Sequence, residues 1–300
     1  MSKVKTVLRY NQNYKSFSFS NMEPEADEEY LESRIELDDE GRILKESKYL
    51  EDGELEEENS FTYDKNGKIL THVLFFAAED VTEKRVFERN EKGDLLSETK
   101  LYGDEEGEKT VYRYDEKGNI VGIEQFDEEG SANSSEEVLY NQDGKIIERK
   151  MFDADKKPAG RTTFTYNGDR EIEETEYDAK GAMVTKTVAK FNEEGKELSS
   201  VQTNPQGRLV SSVTNVFDER GNVIERRYKD FYSKTVRNEY DEQNRAISQE
   251  VYDGTGLLLR RNTFAYDDEG NVLNEQTYEM DPSRGGRDKH FGTRYEYLTN

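Results

Sequence analysis

One seven-residue unit recurs along most of this chain and constrains its fold more than any other feature. It reads aromatic, Asp or Asn, two polar residues, Gly, any residue, aliphatic, as in Tyr63-Asp64-Lys65-Asn66-Gly67-Lys68-Ile69. Clear copies run Tyr114 to Ile120, Tyr140 to Ile146, Phe217 to Val223 and Tyr266 to Val272. With its glycine as anchor the unit occurs 13 times, at 41, 53, 67, 93, 118, 130, 144, 181, 195, 207, 221, 256 and 270. The residue four before that glycine is Tyr or Phe in 10 copies, and the residue three before is Asp or Asn in 12. Units starting at Phe152, Tyr166 and Tyr240 keep the spacing without the glycine; in the last, Asn244 takes its place. This is turn chemistry. Asp or Asn opens a tight turn by accepting backbone amides, and Gly or Asn supplies a positive φ. Each unit therefore predicts a β-hairpin corner, with an aromatic closing one strand and an aliphatic opening the next.

The spacing gives the architecture. Successive anchors lie alternately 12 and 14 residues apart (41, 53, 67 and 118, 130, 144), so the period is 26 residues, one full hairpin. Each step leaves a strand of about 8 or 10 residues, roughly 27–34 Å long, and no room for a helix. The expected fold is all-β: a long antiparallel meander of about 20 strands built from 26-residue hairpins, in a sheet that curves or spirals. Three zones are expected: an N-terminal cap over 1–36, the hairpin array over 37–278, and a C-terminal loop with a capping strand over 279–300. Within the cap, Lys15 to Ser20 alternates like a strand and Asn21 to Asp27, with Pro24, reads as a loop. Even spacing, as from Ile43 to Tyr49 or Leu55 to Tyr63, places both ends of a strand on one face. That predicts one apolar face and one solvated face.

Composition fits a thin sheet better than a thick core. Hydrophobic residues are 32% of the chain and charged residues 37%, with a net charge of −24. Such values border on disorder, yet 19 Tyr and 14 Phe are spread evenly, so a regular structure must order them. There is no Cys, which excludes disulfides, thiolate metal sites and a cysteine nucleophile. The two histidines, His72 and His290, lie too far apart in the array to suggest a Ser-His-Asp arrangement. His72 reads as a sheet-face residue and His290 as solvated in a basic loop. Asp64-x-Asn66-Gly67 looks like the start of a calcium loop, but the position for the closing Glu holds Phe75. No cofactor or metal is expected, and the chain reads as a non-enzyme. The acidic balance argues against nucleic acid. No run approaches the ~18 apolar residues of a membrane span, and Met1 to Tyr10 holds no signal-peptide core. A cytoplasmic protein is expected, with signal-independent export as the other route.

Where the unit breaks, binding features find room. Phe75 and Phe76 sit where a corner is due, Phe231 and Tyr232 lie in a degenerate corner, and Arg284 and Arg287 lie in a locally basic loop. These six are the candidate partner-contacting residues.

The unit Tyr-Asp-x-x-Gly-(Arg/Lys/Asn)-(Ile/Leu/Val), best seen in Tyr114-Asp115-Glu116-Lys117-Gly118-Asn119-Ile120 and in Tyr266 to Val272, resembles the YD repeat of RHS-type proteins. A looser likeness is to MORN-type hairpin repeats of bacterial antitoxin-like proteins. The first resemblance covers about residues 37–278. It implies a spiralling β-sheet used as an interaction scaffold, and it carries no catalytic residues. The expected function is a non-catalytic scaffold: a curved acidic sheet that cradles or neutralises a protein partner in an immunity, chaperone-like or assembly role. The negative charge favours a basic partner. Self-association into a homo-oligomer is the second expectation, and the alternative function is a glycan or small-ligand surface built on the tyrosine rows.

Overall fold

The structure, a computed structural model, describes residues 4–14, 28–103, 105–280 and 288–299. The strand expected at Lys15 to Ser20, the loop expected at Asn21 to Asp27, and Arg284 and Arg287 lie outside the described residues. The described residues form an all-β meander of 22 antiparallel strands. The first strands are β1 (Thr6–Asn13), β2 (Glu28–Leu37), β3 (Ile43–Tyr49), β4 (Leu55–Tyr63), β5 (Ile69–Phe76) and β6 (Val81–Arg89). Next come β7 (Leu95–Tyr102), β8 (Glu105–Tyr114), β9 (Ile120–Phe126), β10 (Ala132–Tyr140), β11 (Ile146–Asp153) and β12 (Pro158–Tyr166). They continue as β13 (Glu171–Asp178), β14 (Met183–Phe191), β15 (Glu197–Thr203), β16 (Leu209–Phe217) and β17 (Val223–Lys229). The last are β18 (Lys234–Tyr240), β19 (Ala246–Asp253), β20 (Leu258–Tyr266), β21 (Val272–Glu279) and β22 (Lys289–Leu298).

Contacts divide the chain into two compact units, Met1–Glu58 with Val213–Asn300, and Asn59–Ser212. The second unit is a continuous run of hairpins. In the first, the terminal strands meet: β1 pairs with β2 on one side and with β22 on the other, from Thr6 opposite Leu298 to Asn13 opposite Phe291. A strand at the start of the chain thus completes its hydrogen bonding only when the last strand is present.

The corners form as the motif predicts. The Asp64 amide donates to the Lys68 carbonyl at 2.8 Å, and its Oδ1 accepts the amides of Asn66 and Lys68 at 2.8 and 2.9 Å. Gly67 has φ +78°, and Asn244 fills the same place at +70°. All ten connections that follow even-numbered strands, from Asp38–Arg42 to Asp267–Asn271, make the same amide-to-carbonyl closure. Cations stitch neighbouring corners along this edge. Lys68 Nζ donates to the Gly93 carbonyl at 2.7 Å, Arg220 to the Asp241 carbonyl at 3.1 Å, and Lys145 pairs with Asp169 at 3.0 Å.

The tyrosine that closes an even strand reaches back to the previous hairpin. Tyr114 Oη donates to the Leu95 carbonyl, Tyr140 to Ile120, Tyr166 to Ile146 and Tyr266 to Ala246, all at 2.7–2.8 Å. Each ring therefore covers apolar surface while its hydroxyl is satisfied. Among the described residues Val138 is the one buried hydrophobic side chain, and the others buried are polar, led by Ser33 at 1% exposure. Order rests on backbone ladders, corner caps and half-buried cross-strand pairs rather than on an oily core.

One expectation is corrected. Leu37 pairs with Ile43, but the preceding Glu36 pairs with Lys45, so Leu44 is an extra residue. The same β-bulge recurs at the start of β7, β9, β11, β14, β15, β19 and β21. Paired residues share a face, so the inserted residue flips the alternation. Ile43 and Tyr49 consequently lie on opposite faces, although six apart. Each sheet face carries one apolar band, at opposite strand ends, instead of one face carrying both. The inserted residues Leu44, Leu96, Ile147, Val184, Leu198, Ile247 and Leu273 stand exposed.

Candidate binding surface

The even-strand corner Asn167–Glu171 lacks the motif glycine and carries its positive φ at Gly168, yet it keeps the closing amide-to-carbonyl bond. The corners that drop that bond follow odd-numbered strands. Among the described residues these are Ala77–Asp80 after β5, the turn after β7, and Asp230–Ser233 after β17. The even-strand edge is stitched and regular, so variability is left to the opposite edge of each unit, where loops carry recognition.

Among the described residues, the connection between β17 and β18 carries the most exposed large apolar side chains. Phe231 is 96% and Tyr232 83% exposed, values for side chains that touch almost nothing. Their ring centroids are 6.1 Å apart and tilted by 54°. The Asp230 carboxylate accepts the Tyr232 amide at 2.6 Å, which holds the tip in place of the usual corner. Two presented aromatics on a short tight turn combine large contact area with few rotatable bonds.

Phe75 and Phe76 behave differently. Both belong to β5, not to a turn, opposite Thr82 and Val81 respectively. As consecutive strand residues they point to opposite faces, and both are half-buried. The chain turns after them, at Ala77 to Asp80, where Asp80 takes φ +53°. The structure therefore brings Phe231 and Tyr232 together but separates Phe75 from Phe76.

Both histidines are held against aromatic rings. His72 sits on the sheet face as the sequence suggests, stacked on Phe61 at 4.6 Å with Nε2 2.7 Å from Asn59 Oδ1. His290 corrects its reading as a solvated loop residue. It lies in β22, 5% exposed, stacked between Tyr14 at 3.9 Å and Tyr278 at 4.0 Å. Burial pushes its imidazole below the ordinary value. The alternation of His290, Gly292 and Arg294 was the available strand signal, masked by the basic residues before it. Among the described residues no three His, Asp or Glu side chains are grouped to hold a metal ion, and no helix is long and apolar enough to cross a membrane.

A family model described as "Uncharacterised protein" matches residues 64–187. No curated protein matches the chain. Among solved structures, the Tc holotoxin pore of Photorhabdus luminescens is similar over 83% of this chain and 16% of its own, with 12% identity and a TM-score of 0.41. A porin-like protein from Bacteroides uniformis is similar over 98% of this chain and 96% of its own, at 10% identity and a TM-score of 0.34. The TcdB2–TccC3 protein without its hypervariable C-terminal region is similar over 83% and 16%, at 13% identity and a TM-score of 0.30. The chain spans about a sixth of the length of the Tc chains that it matches. It is a β-hairpin repeat protein with distant structural neighbours among Tc toxins.

Proposed function

We propose that this protein is a YD-type repeat scaffold that binds a protein partner, with Phe231 and Tyr232 as its aromatic anchors and its negative charge as the steering field. The observation that carries the reading is the exposure of those two rings, 96% and 83%. Large aromatics held in water by an ordered turn gain free energy only when something covers them, and aromatic anchors supply most of the energy of protein interfaces. The net charge of −24 favours a partner with a basic surface, and attraction of that kind weakens as salt rises. The tight corners and the stitched even-strand edge give a rigid mount, which lowers the ordering cost of binding. A cytoplasmic location and a non-catalytic role accompany this proposal.

The test compares affinity capture by the full-length protein and by a Phe231→Ser/Tyr232→Ser variant, from the native cells, at low and moderate salt, read by mass spectrometry. The reading expects one stoichiometric basic partner that is retained by the parent, lost as salt rises, and reduced about 30-fold or more by the double substitution. A partner captured equally by both proteins overturns the assignment of the anchors. Absence of any stoichiometric partner overturns the scaffold reading.

A further inference from the structure

We propose a small-oxyanion site on β17–β20, built by Arg226, Lys234 and Arg260 over a two-valine floor. The register places four residues in one row across four strands. Arg226 pairs with Val236, Val236 with Val251, and Val251 with Arg260. Paired residues share a face, so an arginine stands at each end of the valine pair. Three strand spacings separate them, about 14 Å between backbones. That is a span two extended guanidinium side chains can close over one small ligand. The adjacent row pairs Tyr228 with Lys234, whose ammonium lies 4.6 Å from the Tyr228 ring centre. A cavity of about 340 Å³ opens over these residues.

The chemistry is specific for an anion. The lining contains three cations and no carboxylate, in a chain where acidic residues outnumber basic ones by 67 to 43. The other arginines of these strands are already matched on the opposite face: Arg227 and Arg237 with Glu225, the latter at 2.8 Å, and Arg261 with Glu250. Asp253, opposite Lys234, turns its carboxylate into its own corner, where it accepts the amides of Thr255 and Leu257 at 2.8 and 3.0 Å. Glu279 lies opposite Arg260 on the side away from the valines. Arg226 is oriented by its Nε, which donates to Asn215 Oδ1 at 2.7 Å and leaves the outer nitrogens of the fork for a ligand. Guanidinium forks match the geometry of tetrahedral oxyanions, and the valine floor suits a short apolar substituent. The ligand class is therefore a phosphate or sulfate monoester carrying a small apolar group.

The experiment uses the full-length protein labelled with 15N-arginine, observed through the side-chain Nε–H signals. Sodium phosphate, sodium sulfate, phenyl phosphate and phenyl sulfate are titrated separately, at constant ionic strength set with sodium chloride. Saturable shifts of the Arg226 and Arg260 signals are expected, with the phenyl esters binding several-fold more tightly than the inorganic ions. Comparison of the phosphate and sulfate arms decides which oxyanion is preferred. Arg260→Gln, at an exposed position, is expected to weaken binding roughly tenfold or more, the effect of one charge-assisted contact. Arg161→Gln, in the other unit, is expected to leave binding unchanged. Shifts that stay linear and match those of chloride overturn the site, as do saturable shifts that survive Arg260→Gln.

Discussion

Lys156 occupies a place in its corner that glycine fills in most others, and the consequence is measurable. Its φ is +61°, in the left-handed region, whereas the corner glycine at 144 has +77°. The rest of the Lys156 corner is normal. Its amide donates to the Asp153 carbonyl at 3.0 Å, and Asp153 Oδ1 accepts the amides of Asp155 and Lys157 at 3.0 and 2.9 Å. Strain is thus isolated in one backbone angle. A left-handed conformation costs an L-residue about 1–2 kcal/mol. Glycine returns about 0.5–1 kcal/mol of that through the freedom it gains when unfolded. Lys156→Gly should therefore stabilise the protein by roughly 0.5–1 kcal/mol. Gly144→Ala is the mirror experiment. A Cβ there meets nothing within 4 Å, so only the angle is penalised, and a loss of about 1 kcal/mol is expected. Urea unfolding followed by tyrosine fluorescence reads both, since the chain has no Trp to obscure the signal. The midpoint should rise for Lys156→Gly and fall for Gly144→Ala with unchanged slope. A lower midpoint for Lys156→Gly, or an unmoved one for Gly144→Ala, refutes the assignment of corner strain to φ.

Other perturbations test the corners, the seam and the tyrosine row. Corner amides at Asp64, Asp218 and Asp241, and the side-chain amides of Asn119 and Asn271 at Asp115 and Asp267, hold these carboxyls below their ordinary value of 3.8. A lowered folded pKa gives stability that is present above the unfolded pKa and is lost as pH falls through the folded one. Acid unfolding followed by circular dichroism should begin near pH 4, and Asp→Asn changes at 64 and 115 should flatten that limb. Asn90 and Asn141 already cap their corners through Oδ1 without a titrating group. Burial lowers the His290 pKa, so its contribution is present above the unfolded pKa of 6.5 and is lost as pH falls below it. His290→Phe, which keeps a ring between Tyr14 and Tyr278, should remove the difference in amide exchange of β22 between pH 7.5 and 5.5. Tyr140→Phe deletes the 2.8 Å bond to the Ile120 carbonyl and should cost about 1 kcal/mol in the same urea assay.

How far the fold was legible follows from where the information lies. Corner chemistry is local, so the residues from Asp64 to Lys68 announce their turn, and Asn244 announces its positive φ by standing where glycine should. The alternation of 12 and 14 residues fixed the hairpin period for the same reason. Leu44 shows what local spacing hides. A bulge is a property of the pair, visible only when Glu36 is seen opposite Lys45, and counting along one strand put Ile43 and Tyr49 on the wrong relative faces. His290 was misread because its burial depends on Tyr14, more than 270 residues away in the chain. Of the candidate surface, Phe231 and Tyr232 were found as a break in the repeat, because a missing corner motif frees side chains that a corner would otherwise spend. Arg226, Lys234 and Arg260 were not found, since their row exists only across four strands.

The central claim is that the Phe231–Tyr232 corner is a protein contact. A photo-crosslinking residue placed at 231 in the full-length protein, expressed in its native cells, tests this most directly. The same probe at Leu50, which is 44% exposed in a regular corner, is the matched control. One discrete adduct from position 231, diminished at high salt and absent from position 50, is the predicted result. No adduct from 231, or the same diffuse set from both positions, contradicts the account.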